Sequence, residues 1–188
     1  MQFGLIYFSS GEPADTPSRE RGPEKYRLVL EGARFADRAG FSAVWLPERH
    51  FNQAGCLFPN PSVLHAALAR ETERVALRAG SVVAPLHSPL RIAEEWAVVD
   101  NLSGGRVGLA LASGWHPVDF AFAPENYAER HRITEETVET LRSLWRGETI
   151  PVTGGDGSVH EVRTFLTPIG ARLALWRAAA GNRKTIEL

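Results

Sequence analysis

Three of the six histidines in the sequence stand directly after short apolar runs. The segments that contain them are Pro47–His50, Ala84–His87 and Ser113–His116, and a fourth polar segment, Ala180–Asn182, follows a later apolar run. Histidine exchanges a proton near neutral pH and is also a frequent metal ligand. The four segments therefore predict acid–base or metal chemistry, provided that the fold brings them together.

The apolar runs have the length and composition of buried strands, and stretches of helical periodicity separate them. Strands are predicted over Phe3–Phe8, Ala43–Leu46, Leu77–Val83, Val107–Ala112 and Leu173–Ala179. Helices are predicted over about Glu24–Ala39, from Pro61 after the N-cap Asn60, from Ser88, and around Ile133–Leu144. Serial βα units with apolar rather than alternating strands predict an α/β fold with a parallel sheet covered by helices.

Two architectures fit such a pattern, a (β/α)8 barrel of the TIM type and a doubly wound open sheet. No Gly-x-Gly-x-x-Gly follows the first strand, which removes the main argument for the open sheet and favours the barrel. A complete barrel needs about 250 residues, and this 188-residue chain stops just after its fifth strand. We therefore expect one C-terminally truncated domain over residues 1–188, with about five strands of the barrel. A small hairpin insertion is expected over residues 148–167, around Gly154–Gly157.

The composition narrows the classes of partner. Hydrophobic residues make up 44% of the chain, charged residues 23%, and the formal net charge is −1. This balance does not favour nucleic acid or an anionic membrane surface as a partner. The single cysteine, Cys56, has no internal disulfide partner, and the N-terminus does not resemble a signal peptide. We expect a cytoplasmic protein.

Metal chemistry and a non-catalytic role stay open as alternatives. Histidines after several strands are how metal-dependent barrel hydrolases build zinc sites, but the first strand lacks a His-x-His pair and the chain lacks His-Glu-x-x-His. Metal binding is therefore the weakest of the alternatives, and no metal ligand is assigned. A half barrel can also serve as a folding or docking module without catalysis.

Several motifs, in register along nearly the whole chain, resemble the luciferase-like monooxygenase superfamily. Gly40–Phe51 (GFSAVWLPERHF) resembles its second-strand signature, Asp100–Arg106 (DNLSGGR) the exit of its third helix, and Ala112–Trp115 (ASGW) the end of its fourth strand. The form Ser113–Pro117 (SGWHP) resembles the subgroup associated with nonribosomal peptide and polyketide assembly lines.

The resemblance implies a flavin-dependent monooxygenase of the TIM-barrel type. Such enzymes bind reduced FMN delivered by a separate flavin reductase and react it with dioxygen to a C4a-hydroperoxyflavin, which oxygenates an organic substrate. The subgroup implies a small-molecule substrate or an acyl or aminoacyl group bound to a carrier protein. A homo-oligomer is also expected.

The resemblance also implies site residues. His50 is the first choice for acid–base catalysis. Arg49 occupies the position where the luciferases have their catalytic histidine. Arginine cannot act as a base, but its fixed positive charge can stabilise an anion. Ser81 and Val82 stand where the superfamily often places a non-proline cis peptide. The further flavin contacts that the resemblance implies are Ala112 and Ser113 beside the ring, and Gly181, Asn182 and Thr185 at a helix start that suits the phosphate.

Other residues are expected to be structural. Trp45, Trp96 and Trp176 are predicted in the core, while His65 and His131 are predicted on helices as solvated or capping residues. Large apolar side chains on the strands are expected to be less buried when the later strands of a barrel are absent. These are Phe3, Leu5, Val44, Leu46, Val82, Leu109 and Leu111.

Overall fold

The computed structural model describes residues 1–8, 22–52 and 57–178, which form seven strands. The strands are β1 (Gly4–Ile6), β2 (Ala43–Leu46), β3 (Ala76–Val83), β4 (Val107–Ala112), β5 (Ile150–Thr153), β6 (Val159–Val162) and β7 (Ala174–Arg177). The main sheet has the order β1-β2-β3-β4-β7, and all of its pairs are parallel. This confirms the predicted α/β fold. β5 and β6 form a separate antiparallel pair.

Four α-helices connect the strands, and their ends carry recognisable sequence signals. The helices are α1 (Arg27–Arg38), α2 (Pro61–Glu71), α3 (Pro89–Ser103) and α4 (Arg130–Trp145). Asn60 caps α2 as predicted, because its side chain accepts a hydrogen bond from the Val63 N–H at 3.1 Å. Gly104 ends α3 in the left-handed conformation. Within the described residues, every helix is too short or too polar to cross a lipid bilayer.

The main core lies between the sheet and the helices. Val44, Leu46, Leu77, Leu109 and Leu111 are fully buried there, packed in one cluster with residues of α1 to α4. The prediction that these side chains lose part of their burial is therefore wrong for Val44, Leu46, Leu109 and Leu111. Val82, for which the same was predicted, is also buried. The physical reason is the period of two along a strand: these side chains face the helix layer rather than the interior of a barrel.

The opposite face of the sheet carries two tryptophans and an arginine. The rings of Trp45 and Trp176 meet edge to face at 5.2 Å, and the Arg78 guanidinium lies 5.1 Å from the Trp176 ring centroid. Trp176 is 43% exposed, so only Trp96 of the three predicted core tryptophans is fully in the core. Gly108 makes room for this cluster, since a Cβ there would lie 2.5 Å from Arg78 Nη1 and 2.8 Å from the Trp176 ring.

Charged side chains tie together the end of the sheet where β3 and β4 begin. Asp37 accepts three backbone N–H groups, from Glu73, Arg74 and Val75. Arg106 donates to backbone carbonyls on both sides, including Val75 at 2.7 Å and Ser103 at 2.6 Å. The Asp100–Arg106 motif therefore belongs to a structural hydrogen-bond network at the N-terminal ends of the strands, at the opposite end of the strands from the predicted site.

His65 belongs to the core rather than to the surface. It is completely buried in α2, which corrects the prediction of a solvated or capping residue. Its ring lies 5.3 Å from Trp96, and its Nδ1 donates to the Pro61 carbonyl at 2.8 Å. Burial lowers the pKa of His65 to about 4, so the ring is neutral near pH 7.

Candidate functional site

A cavity of about 780 Å³ opens at the C-terminal ends of the strands. It is lined by Phe8, by the segments that follow β2 and β4, by the C-terminal part of β3, by the first turns of α4, and by the end of β7. We call it the strand-end cavity. Of the residues singled out in the sequence, Arg49, His50, Ser81, Ala112 and Ser113 line it. Val82 is not among the lining residues, and Gly181, Asn182 and Thr185 lie outside the described residues.

Glu48 is the central polar residue beside this cavity. Its side chain is fully buried, and its Oε2 accepts the Val83 N–H at 2.7 Å. Its Oε1 lies 2.7 Å from His50 Nε2 and 2.6 Å from His87 Nε2. One carboxylate oxygen therefore holds two histidines that follow different strands. We call these three residues the His–Glu–His cluster.

Hydrogen bonds decide the charge of this cluster. Burial alone raises the pKa of the Glu48 carboxyl, but the hydrogen bonds from His50, His87 and the Val83 N–H, together with the charge of His87, outweigh burial, and the pKa lies below its usual range. For His87, burial alone lowers the pKa, while the hydrogen bond and the charge of Glu48 raise it above its usual range. Because an ionised carboxylate only accepts, both histidines carry their hydrogen on Nε2.

Arg49 and Phe8 line another side of the strand-end cavity. The Arg49 guanidinium lies 4.7 Å from the centroid of the Phe8 ring, within the range of a cation–π contact. Its backbone N–H donates to the Phe58 carbonyl at 2.9 Å. Arg49 thus supplies a fixed positive charge beside the cavity.

The wall formed by β3 contains a non-proline cis peptide bond between Gly80 and Ser81. The sequence placed it one bond later, between Ser81 and Val82, and this position was wrong. The observed cis bond lies where the pairing of β3 with β4 is irregular, since the register shifts between Gly80 and Val82. Gly80 and Ser81 line the cavity, whereas Val82 is 3% exposed and packs in the core.

The end of β4 turns sharply at the cavity wall. Gly114 has φ +74°, and a Cβ there would lie 2.9 Å from both Phe120 and Val83. This position therefore suits glycine alone. The turn leaves Trp115 69% exposed and places His116 Nδ1 3.8 Å from Asp119.

Two arginines at the cavity have hydrogen-bonding capacity to spare. Arg130 stacks 4.6 Å from the Tyr127 ring and donates from Nη1 to the Tyr127 carbonyl at 2.8 Å. Arg177 pairs with Glu135. Within the described part of the chain, Arg130 Nε and Arg177 Nη1 are buried without a hydrogen-bond partner. Buried unpaired donors are costly, so these N–H groups suit an anionic ligand.

Sequence reasoning missed four of these residues. Glu48 and His87 stood in the strand-end segments but were not selected, and Arg130 and Arg177 were not considered. The signal that could have found Glu48 and His87 is the order of the strands, because residues that follow neighbouring parallel strands meet at the same end of the sheet. That signal identifies the segments but does not show which side chains touch.

One group of side chains among the described residues has the spacing of metal ligands. The ligand atoms of Glu48, His50 and His87 all lie within 4.8 Å of one another. In the structure, however, the two Nε2–Oε1 distances are 2.6 and 2.7 Å, which are direct hydrogen bonds. The described geometry is therefore that of a hydrogen-bonded cluster.

Comparison with known proteins gives concordant results. A family model described as luciferase-like monooxygenase matches residues 1–188. The oxygenase component of the flavin-dependent trigonelline monooxygenase of Acinetobacter baylyi is 32% identical over 126 residues, which are 65% of this chain and 34% of that protein. The chain thus spans about a third of the length of this relative.

Two solved structures share the fold. A monooxygenase from Streptomyces bottropensis superimposes with a TM-score of 0.82 at 28% identity, covering 100% of this chain and 56% of that one. The oxygenating constituent of the 3,6-diketocamphane monooxygenase of Pseudomonas putida, in complex with FMN, gives a TM-score of 0.77 at 17% identity, covering 94% and 51%. This chain therefore corresponds to about half of each of these larger chains.

Proposed function

The chain belongs to the luciferase-like monooxygenase family, and from this premise we propose that the full-length protein is a monooxygenase that uses reduced FMN and dioxygen. The observation that carries the proposal is the strand-end cavity, which is lined by the hydrogen-bonded pair Glu48 and His50 and by two arginines, Arg130 and Arg177, whose N–H groups have no partner among the described residues. An organic substrate is oxygenated there.

The residues present fit FMN. A cavity of about 780 Å³ lies within the range typical of ligand sites. Arg130 and Arg177 would hold the phosphate, because their buried N–H groups have no partner among the described residues. Gly80, Ser81, Ala112 and Ser113 would face the ring, since small side chains allow close approach. Gly181, Asn182 and Thr185 remain predicted phosphate contacts.

The protein's own residues would orient the reactants and manage protons. Reduced FMN, when bound, supplies the activation of dioxygen. His50 offers Nδ1 for a proton, because its Nε2–H is committed to Glu48. Arg49 places a fixed positive charge where negative charge develops. Val83 and Leu111 line the cavity with apolar surface that excludes water.

Two further features belong to the proposal. A separate flavin reductase supplies the reduced cofactor, as suggested by the words "oxygenase component" in the name of the Acinetobacter baylyi relative. The substrate is a small molecule or an acyl or aminoacyl group on a carrier protein, and this part rests on the resemblance of Ser113–Pro117 to the assembly-line subgroup.

Anaerobic titration of the full-length protein with reduced FMN tests the proposal. Saturable binding is expected, and Arg130→Gln should weaken it by roughly 10–100-fold, the effect of losing a charge-assisted hydrogen bond. Arg132→Gln is the matched control, because Arg132 lies on the same helix but pairs with Glu129 and Glu136 on the surface. Absence of binding up to millimolar FMN would refute the proposal and favour a non-catalytic half barrel.

A further inference from the structure

The His–Glu–His cluster contains a histidine that the cavity does not use. Glu48 and His50 line the strand-end cavity, whereas His87 is not among its lining residues and its side chain is 34% exposed. Yet His87 contacts the shared Glu48 oxygen as closely as His50 does, at 2.6 Å and 2.7 Å respectively. His87, which does not line the cavity, is therefore hydrogen-bonded to the same carboxylate as His50, which does.

We propose that Glu48 and His87 are positioning residues for His50: Glu48 fixes its ring and tautomer, and the charge on His87 sets how strongly the shared carboxylate favours a protonated His50. The proposal rests on the proposed function, in which His50 exchanges a proton with the bound reactants.

The geometry fixes the His50 ring from two directions. Glu48 Oε1 accepts from Nε2, and the ring packs edge to face against Phe122 with centroids 4.8 Å apart. Glu48 cannot turn away to follow another partner, because its Oε2 accepts the Val83 N–H. His50 therefore keeps Nε2–H toward the carboxylate, and Nδ1 is the nitrogen left for exchange with the cavity.

Sharing one oxygen makes the two histidines compete. Two cations beside one carboxylate oxygen repel each other, so a proton on His87 opposes a proton on His50, and the reverse holds equally. Other charges face the cluster from neighbouring elements. They are Arg49 after β2, Asp119 and His116 after β4, Glu95 on α3, and Arg130, His131 and Glu135 on α4. Asp119 interacts electrostatically with His50 and Glu48, but among the described residues none of these groups hydrogen-bonds to the oxygen that His50 and His87 share.

Histidine-selective ¹⁵N NMR on the full-length protein without cofactor measures this coupling directly. Glu48→Gln should lower the pKa of His87 by roughly 1–3 units, because it removes the opposite charge that now outweighs burial. His50→Gln should raise the pKa of His87, because it removes the competing positive charge. The His50 ¹⁵N shifts should show the Nε2–H tautomer in the unmodified protein. His160→Gln is the matched control, since His160 pairs with Asp156 on the distant β5–β6 hairpin and should leave His87 unchanged.

The second readout is the pH profile of product formation. His87→Gln should move the midpoint of this profile to higher pH, since it removes a positive charge beside the shared Glu48 carboxylate. A merely structural role for His87 predicts lower activity at every pH with the same midpoint. His87→Gln also leaves the buried carboxylate in place, so the test holds if Glu48→Gln does not fold.

The outcomes separate this inference from the proposed function. If His50→Gln leaves the pKa of His87 unchanged while reduced FMN binds, the coupling is wrong and the function stands. If the coupling is found but reduced FMN does not bind, the proposed function fails while the coupling stands as a property of the fold.

Discussion

The residues around the strand-end cavity differ in how they can handle protons. Arg49 is permanently charged and cannot act as a base at any working pH. Glu48 is buried and fully committed to three donors. His50 has one committed nitrogen and lines the cavity. His50 is therefore the better candidate for proton exchange, and Arg49 for stabilising an anion.

This division of roles predicts the effect of His50→Ala in the full-length protein. Product formation should fall by about 10²–10⁴-fold, the usual range for a lost acid–base group, whereas affinity for reduced FMN should change much less. Steady-state turnover and anaerobic titration measure the two quantities separately. Unchanged turnover would contradict the role and assign His50 to loop structure, leaving Arg49 as the stronger candidate.

Sequence reasoning reached part of this site. The resemblance to the luciferase-like superfamily selected Arg49, His50, Ser81, Ala112 and Ser113, and all five line the cavity. It did not find the His–Glu–His cluster, because His87 lies 39 positions from Glu48 and the contact exists only in the folded chain. Likewise, the unpaired N–H groups of Arg130 and Arg177 are defined by burial, which local pattern does not report.

At the scale of elements, the strands were predicted more accurately than their faces. The bounds of β2 and β4 agree residue for residue with the prediction, since continuous apolar runs mark strands that are buried on both sides. The same continuity hides the period of two, so the leucines of β4 were assigned to the wrong face. The structure instead puts small residues, Gly108 and Ala110, on the face that Trp176 shares.

This arrangement predicts that Gly108→Ala destabilises the protein. The added Cβ would overlap the Trp176 ring and the Arg78 guanidinium, and such overpacking costs about 1–3 kcal/mol in the free energy of unfolding. Urea denaturation of the full-length protein measures it. Gly155→Ala is the matched control, because a Cβ there meets nothing within 4 Å, and it should change stability by less than about 0.5 kcal/mol. Equal effects of the two substitutions would show that the cluster of Trp45, Trp176 and Arg78 is loosely packed.

At the scale of the whole molecule, two kinds of surface have to be distinguished. The core between the sheet and the helices is complete within the described residues, since the side chains at its centre are fully buried. The opposite face of the sheet, which carries Trp176, and the two edges of the sheet are more exposed. Trp176 is 43% exposed, Ile6 is 58% exposed, and the described sheet ends at β1 and β7. The packed layer favours folding, whereas the open edges favour association.

These two surfaces together predict the behaviour of residues 1–188 expressed alone. The chain should melt cooperatively because its helix-covered core is intact, yet it should sediment as dimers or larger species, because within the described residues β1 and β7 each pair with a strand on one side only and can offer the other side to another copy. Ile6→Lys should shift the chain toward monomer, since a charged side chain on an edge strand opposes pairing. Val159→Lys is the matched control, because Val159 is 68% exposed on the separate β5–β6 pair. Sedimentation velocity combined with thermal melting decides the question: a monomeric unmodified chain would show that the open edges are protected, and an equal response to both lysines would show that charge alone, not the β1 edge, controls association.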